Sequence, residues 1–231
     1  MSQAALDKLY RDVWPSVAGL PADQGLSLPL FISLPDSYST AKLKLLIVGQ
    51  ETNSWYGLLG QEMGDDPVGK VLQCYRDFNL GVGYHSPFWN AVREVCRQLG
   101  TNEAPVGLAW SNVYPCDQKC DRPHEPLGQS LLDLRLLPRE VEALAPDAVV
   151  FFTGPQYDGA LGQLFPATNF VAVGPSDHWV HRVEHAGLPA ASFRTYHPAY
   201  LQRKKKGTVL DTIAALIGAA TTAAASPPVA S

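Results

Sequence analysis

Three polar side chains stand at the ends of apolar runs and could do acid–base chemistry together. Glu51 follows one run of apolar residues, Asn112 lies near the end of a second, and His197 follows a third. A carboxylate and an imidazole can orient water or transfer protons, and a carboxamide donates and accepts hydrogen bonds at the same time. This chemistry requires that the three groups, which are far apart along the chain, converge on one pocket.

Short apolar runs supply the elements that would position these groups. We expect four of them to be strands of a sheet that helices cover on both faces, because such strands are apolar along their whole length. The runs occupy residues 43–49, 107–113, 147–154 and 190–196. Sheets of this kind bind ligands at the carboxyl ends of their strands. The sequence therefore predicts an α/β protein with a three-layer α/β/α fold and a central, mostly parallel, four-stranded sheet.

Apolar residues at helical spacing predict the helices, and Pro and Gly mark their ends. The predicted helices cover residues 6–14, 88–99, 129–145 and 209–217. The first is expected to stop at Pro15, and the third to break at Pro138. A long glycine-containing connection is expected over 50–85. We expect a single domain over 1–218, followed by a disordered Ala/Ser/Pro tail over 219–231.

Composition narrows the class of protein. Apolar residues make up 46% of the chain and charged residues 17%, which is enough to fill a core. The net charge is −4, so contact with nucleic acid must come from a local basic patch. No run of about 20 apolar residues and no signal-peptide pattern are present, and four cysteines are too sparse for a disulfide scaffold. We expect a cytoplasmic monomer without membrane contact.

Four segments resemble motifs of the uracil-DNA glycosylase superfamily. Residues 47–53 (IVGQETN) resemble its first motif, a strand followed by Gly-Gln-Asp-Pro-Tyr-His, and residues 197–201 (HPAYL) resemble the second, His-Pro-Ser-Pro-Leu. Residues 111–116 (SNVYPC) resemble the strand whose asparagine recognises the base. Residues 137–147 (LPREVEALAPD) resemble a helix of the iron–sulfur branch. The resemblance extends from about residue 43 to about residue 217.

The first motif departs from the best-known branch at three consecutive positions. Glu51 stands where that branch has aspartate, Thr52 replaces the proline, and Asn53 replaces the tyrosine that excludes the methyl group of thymine. The resemblance therefore implies the superfamily and its fold rather than one branch and its specificity.

The resemblance implies a DNA base-excision repair glycosylase that hydrolyses the N-glycosidic bond of a flipped uracil or other deaminated base. It gives Glu51 the role of stabilising the electron-poor sugar and orienting water, and His197 that of donating to the leaving base. It gives Asn112 the recognition of the base edge and the backbone at Gln50 further contacts with the base. It implies no cofactor.

Aromatic and basic residues near these motifs are the remaining candidates for contact with DNA. Trp55, Tyr56, Phe88 and Trp89 compete for stacking on the flipped base. By resemblance, Leu201 would be an apolar wedge that fills the gap in the duplex. The densest run of basic residues follows it and would hold phosphates: Arg203, Lys204, Lys205 and Lys206.

Other functions stay open at this point. The changes at Thr52 and Asn53 suit a member of the fold that binds DNA or a partner without catalysis, and the pocket could instead serve a free nucleotide or nucleoside. Cys116 and Cys120 could hold part of a metal cluster, but no Cys-x-x-Cys pair exists and we expect no metal. The histidines at 178, 181 and 185 would line one side of a helix, where a solvated face explains them equally well.

Overall fold

A six-stranded mixed sheet forms the centre of the protein, in a computed structural model that describes residues 3–100, 104–174 and 178–225. Its strands are β1 (Lys44–Gly49), β2 (Gly107–Asn112), β3 (Ala148–Phe152), β4 (Asn169–Ala172), β5 (Val180–Glu184) and β6 (Ala191–Thr195). In space they follow the order β2-β1-β3-β6-β5-β4. The first four in this order run parallel, whereas β5 pairs antiparallel with β6 and β4 pairs antiparallel with β5.

The α/β class and the mostly parallel sheet are confirmed, and the four expected runs are the four parallel strands. The count of four strands is wrong, because β4 and β5 extend one edge. No side chain of β4 is fully buried, and β5 buries only Val180 and Val183, so neither strand shows the continuous apolar run of a doubly covered strand. The helix predicted to carry His178, His181 and His185 is also wrong, since this segment forms β5 and its flanks.

Helices pack around the sheet in agreement with a three-layer α/β/α fold. They are α1 (Gln3–Ala18), α2 (Asp36–Thr40), α3 (Pro67–Phe78), α4 (Pro87–Leu99), α5 (Leu127–Asp133), α6 (Leu136–Leu144), α7 (Asp158–Leu164), α8 (Pro198–Arg203) and α9 (Thr208–Ala225). α4 packs against α8 and α9, and α1 packs against α3 and α6. Within the part of the chain that the structure describes, no helix is both long and apolar enough to cross a membrane.

Proline positions explain two of the errors in the predicted helices. α1 continues through Pro15, because the buried side chains of Val13 and Val17 extend its apolar face beyond the proline. The interruption between α5 and α6 lies at Arg135, whose φ is 48°, and Pro138 lies inside the first turns of α6. Proline is accepted near the start of a helix, where no backbone hydrogen bond is required of it.

Two further segments are more helical than expected. The connection over 50–85 contains α3, which starts at Pro67 after Asp66 caps it by accepting a hydrogen bond from the Gly69 backbone N–H at 3.1 Å. α9 continues to Ala225, so the expected disordered tail is wrong for residues 219–225. Residues 226–231 lie outside the described residues.

A buried carboxylate behind β2 ties distant parts of the chain together. Tyr10 donates a hydrogen bond to Oε1 of Glu140 at 2.8 Å, and Ser111 donates to Oε2 at 2.5 Å. The backbone N–H of Ile32 donates to the Tyr10 hydroxyl at 2.8 Å. Burial raises the pKa of Glu140 to about 7. This network holds α1, α6 and β2 together, and Ser111 is the residue before Asn112.

Candidate active site

A cavity of about 410 Å³ opens at the carboxyl ends of the parallel strands. Residues that follow β1, end β2 and follow β6 meet there, as expected for a ligand site in this kind of sheet. The volume lies in the range of small-ligand pockets. Its walls are formed by Gly49, Gln50, Glu51, Thr52, Asn53, Trp55, Phe78, Tyr84, Ser86, Pro87, Phe88, Trp89, Trp110, Asn112, Cys120 and His197.

The cavity brings together most of the residues predicted for catalysis and base binding. Those that line it are Gln50, Glu51, Trp55, Phe88, Trp89, Asn112 and His197. Tyr56 does not line it. The residue is 46% exposed, and its ring lies edge to face against the Trp55 ring, with ring centres 4.8 Å apart. The structure therefore separates Tyr56 from the other aromatic candidates.

Asn112 has a fixed orientation in the cavity wall. Its side chain is buried, and Oδ1 accepts a hydrogen bond from the Trp110 indole N–H at 3.1 Å. Because an indole nitrogen can only donate, this bond decides which end of the amide is oxygen. A Cβ at Gly49 would lie 2.3 Å from Oδ1, so only glycine leaves room for this amide. Nδ2 has no hydrogen-bond partner among the described residues.

A second donor in the wall is also unpaired. Trp55 is 6% exposed, and its indole nitrogen has no partner in the described part of the chain. A buried donor without a partner costs about 1–3 kcal/mol. Asn112 Nδ2 and Trp55 Nε1 therefore favour a ligand that carries hydrogen-bond acceptors.

Glu51 accepts a hydrogen bond from a tyrosine that the sequence analysis missed. The Tyr157 hydroxyl donates to Oε2 of Glu51, and no hydrogen bond from the described residues reaches Oε1. Burial raises the pKa of Glu51, and the bond from Tyr157 opposes this shift. The guanidinium of Arg122 lies 5.0 Å from the centre of the Tyr157 ring and also acts to lower that pKa. Tyr157 belongs to a short 3₁₀ turn after β3, and its place just beyond a strand end is the signal that could have found it.

His197 is placed as a neutral hydrogen-bond donor. Its Nδ1 accepts a hydrogen bond from the Ala199 backbone N–H at 3.2 Å, so the proton of the neutral ring is on Nε2. Burial lowers the pKa of His197, and the charge of Arg203 lowers it further. The ring of Phe88 stacks on the imidazole, with centres 5.9 Å apart and planes at 21°. At neutral pH the imidazole is thus uncharged.

The side chains of Gln50 and Thr52 hold the loop after β1 in place. Gln50 Nε2 donates to the Thr153 carbonyl at 2.7 Å, which joins the ends of β1 and β3. Thr52, which takes the position of the motif proline, is buried and donates to Oδ2 of Asp117 at 2.7 Å. The backbone N–H of Cys120 donates to Oδ1 of the same aspartate at 2.7 Å. The loop next to Glu51 is therefore anchored on two sides.

Aromatic side chains form a continuous wall on the other side of the cavity. Trp110 is at its centre, with ring centres 5.3 Å from Trp55, 5.1 Å from Trp89 and 5.5 Å from Phe78. Phe78 and Trp110 belong to α3 and β2, two elements that meet only in the folded chain. Neither was predicted as a site residue: Phe78 lies far from every motif, and Trp110, although it directly precedes the segment 111–116, lies in the apolar run of a predicted strand.

Leu201, the expected DNA wedge, is buried in this structure. Its side chain is 3% exposed, because it lies on the inner face of α8, the helix that packs against α4. Arg203, Lys204 and Lys205 are exposed and Lys206 is half-buried, all of them outside the cavity wall.

The two cysteines considered for metal binding differ in exposure. Cys116 is buried and its burial raises the pKa of its thiol, whereas Cys120 is exposed and its Sγ lies 2.8 Å from Oγ of Ser54. Across residues 3–100, 104–174 and 178–225, no group of three or more His, Cys, Asp or Glu side chains could hold a metal ion.

Comparisons with known proteins do not assign the chain to a family. No protein-family model matches the chain, and no curated protein is similar to it.

Proposed function

We propose that the protein is a DNA glycosylase that hydrolyses the N-glycosidic bond of uracil or another deaminated base flipped into the cavity. One observation carries the proposal. Glu51, Asn112 and His197, which lie at the ends of three different strands, line the same cavity, and each has the hydrogen-bonding state that this reaction needs. The motif resemblance supports the same reaction.

Glu51 acts on the sugar side of the bond. As the C–N bond breaks, the sugar becomes electron-poor, and a carboxylate beside it is favourable in a site with little water. The Tyr157 hydroxyl favours the ionised form of Glu51 on Oε2, which leaves Oε1 to orient the attacking water. The water oxygen forms the new bond to the sugar carbon, and its proton passes to the carboxylate or to solvent.

Asn112 and His197 act on the base side. The base leaves with the electron pair of the broken bond, so negative charge develops on its carbonyl oxygens. The Nε2 proton of neutral His197 and the unpaired Nδ2 of Asn112 are donors for those oxygens. The N–H of Trp55 is a third unpaired donor in the same wall. These donors are in place before the reaction, which is the condition for stabilising charge that develops only in the transition state.

The test is release of a free base from oligonucleotides that contain uracil, hypoxanthine, xanthine or mismatched thymine, measured as abasic sites in single and double strands. We expect release from at least one of these substrates. His197→Ala lowers its rate at least about tenfold, whereas His124→Ala, which removes an exposed histidine, leaves it unchanged. If the folded protein releases none of these bases, the proposal is overturned.

A second function is favoured by the residues after Glu51. A buried hydrogen-bonded threonine replaces the motif proline at position 52, and Asn53 replaces the motif tyrosine. A protein that binds a flipped base or a nucleotide in this cavity without cleaving it needs the donors of Asn112 and Trp55 but not a free carboxylate. Binding of uracil-containing DNA with no abasic product distinguishes this function from the first.

A further inference from the structure

Three partly exposed aromatic rings form a cluster that the proposed reaction does not use. Tyr196 and Tyr200 are stacked, with ring centres 4.9 Å apart and planes at 20°. Trp179 lies 5.2 Å from Tyr196 and 6.4 Å from Tyr200. None of the three lines the cavity of about 410 Å³, and all three are half-buried. We refer to Trp179, Tyr196 and Tyr200 as the aromatic platform.

The aromatic platform is built into the elements that carry His197. Tyr196 is the residue before His197, so their Cα atoms are about 3.8 Å apart. Tyr200 lies in α8, which His197 caps. The Thr195 hydroxyl at the end of β6 donates to the Trp179 carbonyl at 2.8 Å, which holds the third ring at the same place. The platform is therefore a fixed surface beside the cavity.

Cations surround these rings. The Arg203 guanidinium lies 5.8 Å and Lys204 Nζ 5.6 Å from the centre of the Tyr200 ring, and Lys206 Nζ lies 5.2 Å from the Trp179 ring. The charge of Arg203 also reaches His197 in the cavity wall, where it lowers the pKa of the imidazole. In a chain of net charge −4, this cluster is a local positive surface.

Rings with cations beside them fit single-stranded nucleic acid. Unpaired bases stack on aromatic side chains while the phosphates pair with Lys and Arg. In a duplex the base faces are covered by neighbouring base pairs, so a duplex can use the cations but not the rings. A cation over an exposed ring is held more weakly than a stacked base, so a base can displace it, and the cation stays within reach of the strand.

We propose that the aromatic platform and the cations Arg203, Lys204 and Lys206 bind nucleotides that flank the one in the cavity, and that the protein therefore prefers single-stranded nucleic acid. The flanking position rests on the proposed function, but the binding itself can be measured without it. The buried position of Leu201 agrees with this preference, since that side chain is not available to fill a gap in a duplex.

The test is binding of a fluorescent, undamaged oligothymidine and of a hairpin duplex, measured by fluorescence anisotropy. We expect the single strand to bind more tightly than the duplex. Tyr200→Leu keeps apolar bulk without a ring and weakens single-strand binding about tenfold, whereas Tyr200→Phe binds like the wild type. A thermal melt of each variant verifies the fold. Equal binding by the Leu and Phe variants overturns the proposal.

The cations are tested by salt dependence. Replacing Arg203, Lys204 and Lys206 by Gln together reduces the slope of log affinity against log salt by about 2. The matched control replaces Lys8, Lys42 and Lys70, which are exposed elsewhere, and leaves the slope unchanged. If both triple variants change the slope equally, only net charge matters and the proposal is overturned.

Outcomes for this inference and for the proposed function are separable. Single-strand binding that depends on the platform, without release of any base, overturns the glycosylase and leaves the platform standing. Base release by a protein whose single-strand binding is unchanged in Tyr200→Leu overturns the platform and leaves the glycosylase standing.

Discussion

Glu51 and Glu140 each accept a hydrogen bond from a tyrosine hydroxyl, and burial raises the pKa of both. They differ in what faces the second carboxylate oxygen. Oε2 of Glu140 accepts from Ser111, so that carboxylate is enclosed by protein donors and lines no part of the cavity. Glu51 turns towards the cavity, and Oε1 accepts no hydrogen bond from the described residues. Burial and a raised pKa are common to both glutamates, so the open oxygen at the cavity is the feature that favours Glu51 for the proposed reaction.

The largest expected effect separates the two glutamates by rate. Glu51→Gln lowers base release by about a hundredfold or more, because a carboxamide cannot stabilise the electron-poor sugar. Glu140→Gln leaves the rate close to that of the wild type, because glutamine can still bond to both hydroxyls. Abasic-site formation in a uracil-containing single strand measures both rates. A large loss in folded Glu140→Gln would show that the enclosed carboxylate takes part in the reaction.

Alanine substitutions at the two glutamates are expected to rank in the opposite order in their effect on the free energy of unfolding. Glu140→Ala lowers the free energy of unfolding by about 3 kcal/mol, because Tyr10 and Ser111 lose a buried acceptor and a void remains. Glu51→Ala lowers it by less than about 1 kcal/mol, because water in the cavity can solvate Tyr157. Urea unfolding followed by fluorescence measures both values. Equal losses would contradict the structural role given to Glu140.

The enclosed carboxylate of Glu140 should also make the free energy of unfolding depend on pH. The pKa of Glu140 is about 7 in the folded protein against its ordinary value of 4.5, so folding favours its protonated form. Its contribution to stability is complete below pH 4.5 and is lost as the pH rises through 7. Between pH 5 and pH 8 this loss is about 2 kcal/mol in the free energy of unfolding. Urea unfolding at several pH values measures it, and Glu140→Gln should lack this component.

Sequence patterns predicted the parallel strands and the strand-end groups because both follow from local rules. The runs of β1, β2, β3 and β6 are apolar throughout, since layers on both faces exclude water. The same rules predicted that three polar groups meet at one edge of the sheet, because parallel strands all end at that edge. These groups are Glu51, Asn112 and His197.

The contacts that distinguish the two glutamates could not be predicted in this way. Tyr10 is 130 positions from Glu140, and Tyr157 is 106 positions from Glu51. Such pairs depend on how helices pack over the sheet, which periodicity does not specify. The antiparallel strands β4 and β5 were missed for a related reason: β4 is an exposed edge strand and β5 beside it buries only Val180 and Val183, so neither has a continuous apolar run. Leu201 shows the same limit, because a motif position does not tell which face of α8 is buried.

The smallest expected effect concerns the two tyrosines. Tyr157→Phe removes the donor that favours the ionised form of Glu51, so the pKa of that carboxyl rises further. The acidic limb of the rate of base release then moves to higher pH. Above that limb the rate changes little, because the carboxylate itself is still present. A pH profile of abasic-site formation by the wild type and the variant measures the shift.

Tyr10→Phe is the matched change at the enclosed glutamate. It removes the donor to Glu140 and the acceptor of the Ile32 backbone N–H, so the free energy of unfolding falls by about 1–2 kcal/mol. The pH profile of base release should stay in place, because Tyr10 contacts the network behind β2 rather than the cavity. Two results would contradict this separation of a structural Glu140 from a chemical Glu51. One is a shifted pH profile in Tyr10→Phe, and the other is an unshifted pH profile in Tyr157→Phe.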